Sequence, residues 1–184
     1  GVTDFAARFF PALFAAAGLL LTYALARRIY DARTAFWSVV ILGSCVLYGL
    51  LAKLILTDMS LFVFFGATLG TFFLGYGEQR KKFFYLAYAC AGLSVLTKGP
   101  VGFLLPGLVI LVYLAVRRDL RALGHIALPT GLLIFAAVCA PWYIYMYLVH
   151  GADFVNTFLG IHNVLRATVS EHAQWNVWYF YLGI

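Results

Sequence analysis

Two charged residues occupy short breaks in a very apolar sequence, and their chemical types suit acid–base and phosphate chemistry. Asp58 lies in Leu-Thr-Asp-Met-Ser and Lys98 in Thr-Lys-Gly-Pro, each between two apolar runs. A carboxylate inside a bilayer costs roughly 2.5–3.5 kcal/mol at a helix centre, so such residues tend to be functional. An ammonium beside the free N–H groups of a helix start suits a phosphate. Each residue also has a purely structural interpretation, Asp58 as a helix cap and Lys98 as a lysine reaching the interface.

Other candidate polar residues lie inside one apolar run and in one long polar stretch, 150–174. Lys53 lies slightly more than one helical turn before Asp58, and it either reaches the interface or joins the same site. The candidates in the polar stretch are His162, Arg166, Glu171 and His172. In a helix, His162 and Arg166 share a face, a pattern typical of an amphipathic helix on a membrane surface, with or without chemistry. The two histidines and Glu171 match no standard metal spacing, so a divalent metal cofactor stays open.

Composition determines the elements that must position these residues. The chain has 184 residues, of which 64% are hydrophobic and only 11% charged, and its mean hydropathy is +0.93. Soluble domains carry about 25% charged residues. A soluble fold of this size has too much surface to cover with so few charges. The sequence therefore predicts an all-α, polytopic transmembrane helix bundle.

Runs of about 20 apolar residues predict the spans. Residues 1–184 are interpreted as part of one transmembrane domain with about six spans, an outer loop at about 150–174 and the start of a seventh span. The predicted segments are 5–26, 35–56, 60–76, 83–96, 101–116 and 126–149, with 175–184 opening the seventh. Because the chain starts at Gly1 and ends in an apolar run, we expect it to be an internal piece of a longer protein.

Basic residues alternate between the connections, which predicts orientation. Nine occupy the first, third and fifth connections: Arg27, Arg28, Arg33, Arg80, Lys81, Lys82, Arg117, Arg118 and Arg121. The even connections hold only Lys98 and Arg166. The positive-inside rule makes the odd connections cytoplasmic, so Asp58, Lys98 and the 150–174 stretch should share the non-cytoplasmic side. The net charge of +6 is then a topological signal, and no nucleic-acid partner is expected.

Several short motifs, taken in order, resemble the polyprenyl-phosphate-sugar glycosyltransferases of the GT-C membrane fold. The branch they resemble is the bacterial aminoarabinose transferase and protein-mannosyltransferase-like group. The motifs are Arg-Phe-Phe-Pro-Ala-Leu at 8–13, Leu-Thr-Asp-Met at 56–59, Thr-Lys-Gly-Pro at 97–100, Pro-Trp-Tyr at 141–143, His-Asn-Val-Leu-Arg at 162–166, Glu-His at 171–172 and Trp-Tyr-Phe-Tyr at 178–181. Each motif is short, but together they extend over nearly the whole chain.

The resemblance implies a GT-C-like membrane domain and inverting transfer of a sugar from a polyprenyl-phosphate donor to a lipid or protein acceptor. It implies a bacterial inner membrane with the site facing the periplasm or exterior, and lipid A as one possible acceptor. Asp58 is then the catalytic-site carboxylate, and the substrate-binding residues are Lys53, Lys98, His162, Arg166, Glu171 and His172. The family's general base usually lies in a first outer loop that precedes this chain, so the fragment alone is expected to be inactive.

Two other functional classes compete with this interpretation. A transporter or flippase for a lipid-linked or anionic substrate also needs polar residues on one side. It predicts charges deep in the spans along a path to both faces, however, and Lys53 is the only such charge. A purely structural subunit leaves the clustering of Asp58, Lys98 and the polar stretch without explanation. The enzyme interpretation therefore accounts for most of the sequence.

Overall fold

The structure is a computed structural model that describes residues 3–154, and every regular element in that range is a helix. The helices are α1 (Asp4–Ile29), α2 (Ala32–Ser44), α3 (Val46–Leu51), α4 (Asp58–Glu78), α5 (Lys81–Lys98), α6 (Val101–Val116), a 3₁₀ helix (Leu120–Gly124) and α7 (Leu128–Phe154). Large apolar side chains are exposed along most of them, as a bilayer-facing surface requires. The prediction of an all-α membrane helix bundle is confirmed.

Three of these helices are long and apolar enough to cross a membrane: Arg8–Ile29, Asp58–Glu78 and Leu128–Ala152. The helix Val101–Val116 is apolar but shorter, and it coincides with the predicted fifth span. Charged residues stand at both ends of α5, which has 18 residues and so a length of about 27 Å. The count of six spans stays a prediction.

The predicted second span, 35–56, is wrong as a single helix. The structure divides it into α2, of 13 residues, and α3, of 6 residues. Cys45 between them has an extended backbone, with φ −67° and ψ 121°. Gly43 and Ser44 immediately precede this break, and Gly/Ser pairs are common points of helix kinking. Hydropathy does not register the break, because the residues on both sides of it are apolar.

Two contacts place the first, third and fifth connections together at what we call the basic end. Arg28 Nη2 lies 2.7 Å from Glu78 Oε1, and the Tyr76 hydroxyl donates to Asp119 Oδ2 at 2.8 Å. The 21 residues of α4 extend about 31 Å from there to Asp58, at what we call the Asp58 end. The alternation of basic connections in the sequence therefore corresponds to two opposite ends of the bundle.

Small residues and one buried hydroxyl bring α1, α3 and α4 into close contact. A Cβ at Gly70 of α4 would overlap the end of the Leu25 side chain in α1, so a larger residue there would require Leu25 to shift. The buried Tyr48 of α3 donates its hydroxyl to the carbonyl of Ala15 in α1 at 2.6 Å. Ala15 and Tyr48 pack with Met59, the residue after Asp58, which is 1% exposed. This cluster holds the start of α4 in place.

The chain divides into two compact units, residues 1–139 and 140–184, and the boundary falls within α7. In the described part of the second unit, Trp142 contacts Tyr143 and Phe154, with ring centroids 5.0 and 5.7 Å apart. Gly151 has φ 58° and ψ −143°, so the helix is interrupted there. The predicted outer loop at about 150–174 begins at this interruption, and most of it lies outside the described residues.

Candidate functional site

The candidate site is the ion pair between Asp58 and Lys98, which are 40 residues apart in the sequence. Lys98 Nζ donates to Asp58 Oδ1 at 2.5 Å. Asp58 lies in the first turn of α4 and Lys98 in the last turn of α5, positions where the helix macrodipoles favour a carboxylate and an ammonium. The two side chains are 32% and 52% exposed, so the pair is accessible at the Asp58 end. The structure thus brings together two of the predicted site residues.

The connection after Lys98 has a backbone that requires glycine. Gly99 has φ 75° and ψ −157°, a region essentially restricted to glycine. Its N–H donates to the Val95 carbonyl at 2.8 Å and so ends α5, and Pro100 then leads into α6. The side chain of Lys98 is therefore anchored at the last helical position before a tight reversal.

The two helices of this hairpin meet backbone to backbone. A Cβ at Gly102 in α6 would overlap the carbonyl group of Ser94 and the amide of Val95 in α5. Ser94 is fully buried, and its hydroxyl has no hydrogen-bond partner among the described residues. Ser94 precedes Lys98 by one helical turn, so this contact fixes the end of α5 that carries the lysine. Sequence reasoning missed Gly102, although a glycine two residues after the proline that starts a helix is a usable signal of a close contact between helices.

The expectation of free N–H groups at the start of α6 is wrong for two residues. Gly102 donates to the Gly99 carbonyl and Phe103 to the Pro100 carbonyl, both at 3.0 Å. These short i to i−3 bonds occupy two of the amides at the helix start, as in a 3₁₀ turn. A phosphate at this end would therefore depend on the ammonium of Lys98 more than on the backbone.

The structure distinguishes between the two interpretations of Asp58 and corrects the position of Lys53. Thr57 occupies the cap position of α4 without a side-chain cap bond, and Ser60 donates to the Thr57 carbonyl at 2.7 Å. Asp58 instead pairs with Lys98. Lys53 was expected inside a helical run, but α3 ends at Leu51, so Lys53 lies exposed in the connection to α4. Within residues 3–154, Lys53 has no ion-pair partner.

The remaining predicted site residues lie outside the described residues: His162, Arg166, Glu171 and His172. Their convergence on the Asp58 end stays a prediction. The described residues contain no group of three His, Cys, Asp or Glu side chains placed to hold a metal ion. Because the histidines of the metal hypothesis are not among them, that hypothesis is untested.

The fold and the site together define the class of protein. It is an all-helical membrane bundle with an accessible carboxylate–ammonium pair at one end. A family model described as dolichyl-phosphate-mannose-protein mannosyltransferase matches residues 1–145. The chain belongs to this family, as its ordered motifs predicted, and its fold is that of a GT-C-like membrane domain.

Relatives and a solved structure agree with this assignment. An uncharacterized protein of Aquifex aeolicus is 33% identical over 182 residues, which are 98% of this chain and 36% of that protein. The undecaprenyl phosphate-alpha-4-amino-4-deoxy-L-arabinose arabinosyl transferase of Pseudomonas paraeruginosa is 32% identical over 195 residues, 100% of this chain and 34% of that protein. The crystal structure of ArnT from Cupriavidus metallidurans bound to undecaprenyl phosphate has a TM-score of 0.82 and 27% identity, covering 89% of this chain and 31% of that one. The chain thus spans about a third of the length of these relatives.

Proposed function

We propose that this protein is a membrane glycosyltransferase that moves a sugar from a polyprenyl-phosphate donor to a lipid or protein acceptor, with inversion. The observation that carries the proposal is the Asp58–Lys98 pair, an accessible ammonium held by a carboxylate at one end of a membrane bundle. The likeness to a structure bound to undecaprenyl phosphate supports a lipid-phosphate donor. The donor's tail lies in the bilayer, so its phosphate is near the membrane surface, where a helix end can reach it.

Lys98 suits the departing phosphate. An ammonium has three donors and Asp58 accepts from one, which leaves two for phosphate oxygens. In the reaction an acceptor hydroxyl oxygen bonds to the anomeric carbon, the bond from that carbon to the phosphate oxygen breaks, and the electron pair stays on the phosphate. The hydroxyl proton passes to a general base, which the family resemblance places in an outer loop of the whole protein. The growing negative charge is stabilised by a cation that is already oriented. Asp58 orients that cation, and we propose that it positions substrate rather than taking the acceptor's proton.

The other predicted binding residues complete the proposed site. Lys53 lies in the exposed connection that leads directly to Asp58, where its ammonium, on a four-carbon stem, is accessible to a phosphate. For His162, Arg166, Glu171 and His172 we propose substrate binding on the basis of the family motifs alone. An undecaprenyl-phosphate-linked sugar is the donor class, and lipid A is one acceptor class, by analogy with the arabinosyl transferase relatives.

The direct test is sugar transfer by the full-length protein in membrane vesicles. We expect label from a radioactive undecaprenyl-phosphate sugar to appear in a lipid or protein product while undecaprenyl phosphate is released. A flippase would move the intact donor across the vesicle membrane and form no product. Donor translocation without product by a folded protein would contradict the proposal and favour the transporter alternative.

We also propose that the Asp58 end faces the periplasm or exterior, because all nine predicted cytoplasmic basic residues belong to connections of the basic end. In a variant without native cysteines, Thr57→Cys and Arg80→Cys should react with an impermeant maleimide from opposite sides. Both positions are exposed and lie at opposite ends of α4. Thr57→Cys should be labelled in intact cells and Arg80→Cys only after lysis. The reverse pattern would invert the orientation, and labelling of both from one side would contradict the spanning role of α4.

A further inference from the structure

An apolar groove of about 340 Å³ lies between α4, α5, α6 and the start of α7, and neither Asp58 nor Lys98 lines it. Its walls include Phe72, Phe84, Pro106 and Ile126. The volume falls in the range of roughly 300–1,000 Å³ typical of small-molecule sites. Leu111 and Leu132 at its margin are 47% and 42% exposed, so the groove opens on the outer surface of the bundle. In a bilayer that surface meets acyl chains.

A polar pocket of about 190 Å³ adjoins the groove at the basic end. Phe84, which is 3% exposed, lines both the groove and the pocket. The pocket's charged and polar lining is formed by Tyr76, Gln79, Asp119, Arg121 and His125. The carboxylate of Asp119 already accepts from the Tyr76 hydroxyl at 2.8 Å, whereas Arg121 and His125 are exposed. Asp119 keeps its negative charge, and the positive balance around the pocket comes from the connections of the basic end, which hold nine basic residues against three acidic ones, Asp31, Glu78 and Asp119.

We infer that the groove and the pocket together bind one membrane phospholipid with an anionic headgroup, its acyl chain in the groove and its phosphate beside Arg121 and His125. Charge complementarity and position select this occupant. The pocket lies among the basic residues of three connections, where anionic headgroups concentrate, and the groove opens to the hydrocarbon beside it. The headgroup pocket is separate from the proposed sugar-transfer site, because α4 extends about 31 Å between the two ends, whereas the groove continues from the pocket along α5 and α6 as far as Ala91 and Phe103.

Substitution of a glycine that lines the groove is a selective way to fill it. Gly107 lines it, and a Cβ built at Gly107 meets no atom within 4 Å. Gly107→Leu therefore introduces an apolar side chain into open space and competes with an acyl chain without a backbone clash. Gly49 in α3 has an equally open environment but does not line the groove, so Gly49→Leu is the matched control.

The test is lipid retention by the full-length protein in mild detergent, measured by native mass spectrometry with added palmitoyl-oleoyl phosphatidylglycerol or phosphatidylcholine. We expect one phosphatidylglycerol to be retained in preference to phosphatidylcholine, and Gly107→Leu but not Gly49→Leu to remove it. Arg121→Ala should weaken phosphatidylglycerol binding about five-fold and leave phosphatidylcholine binding unchanged. The attraction between one basic side chain and an anionic lipid surface changes the binding constant by about this factor. Arg33→Ala, in another basic connection, should have no effect.

Three results would overturn the inference. Equal retention of both lipids would exclude headgroup recognition. Displacement of the adduct by inorganic phosphate would identify a free-anion site instead of a lipid site. A loss of thermal stability in Gly107→Leu, with lipid adducts unchanged, would show that another part of the protein occupies the groove.

Discussion

Replacing Lys98 by methionine in the full-length protein is expected to lower the rate of sugar transfer by about 10²–10³-fold, the usual cost of removing one preorganised donor from developing negative charge. Methionine keeps the apolar stem and removes the ammonium. The expected loss appears in kcat as well as kcat/KM, because the charge on the departing phosphate grows only in the transition state. Steady-state transfer from a radioactive undecaprenyl-phosphate sugar measures both quantities.

Two further variants separate this role from a merely structural ion pair. Lys98→Arg keeps the charge and the contact to Asp58, so we expect partial recovery of kcat. Lys81→Met removes a lysine at the other end of the same helix, where the side chain is exposed, and should leave transfer unchanged. If Lys98→Met transferred sugar at the wild-type rate, the pair would be structural and the proposed site would be wrong.

Gly102→Ala is expected to produce the largest loss of stability from a single methyl group in the described helices. The new Cβ overlaps the backbone of Ser94 and Val95, which cannot rotate away as a side chain can. Overpacking of this kind costs about 1–3 kcal/mol, and more where backbone must shift. The shift would also move the end of α5 and separate Lys98 from Asp58. A misplacement of about 1 Å at a reacting group can lower a rate about 10²-fold.

Thermal unfolding of the purified protein in detergent, together with the transfer assay, measures both effects of Gly102→Ala. Gly107→Ala lies one and a half turns further along α6, where an added Cβ meets nothing, and is the matched control. It should leave stability unchanged or raise it by about 0.5–1 kcal/mol, because alanine loses less backbone entropy than glycine in a helix. Equal stability of both variants would mean that α5 and α6 do not meet at Gly102 as the structure has them.

Much of the fold could be predicted from the sequence because the signals that indicate it are local and repeated. Apolar runs predicted α1 and α4 to within a few residues, and α6 at its observed bounds. The alternation of basic connections anticipated the two ends of the bundle. Local hydropathy carried no information on the break at Cys45, because a kink after Gly43 and Ser44 changes backbone direction without changing polarity. It likewise placed Lys53 on a helix that ends at Leu51.

The sequence by itself determined that this is a membrane bundle, which charged residues interrupt its apolar runs, and which family its motifs belong to. These properties depend on composition and on the order of short motifs. Only the tertiary structure decided that Asp58 pairs with Lys98 instead of capping α4, and that the amides of Gly102 and Phe103 are already bonded. The reason is that a side chain's partner depends on how helices pack. That packing is governed here by close contacts such as Gly102 on Ser94, and no motif in the sequence states which residue of one helix contacts which residue of another.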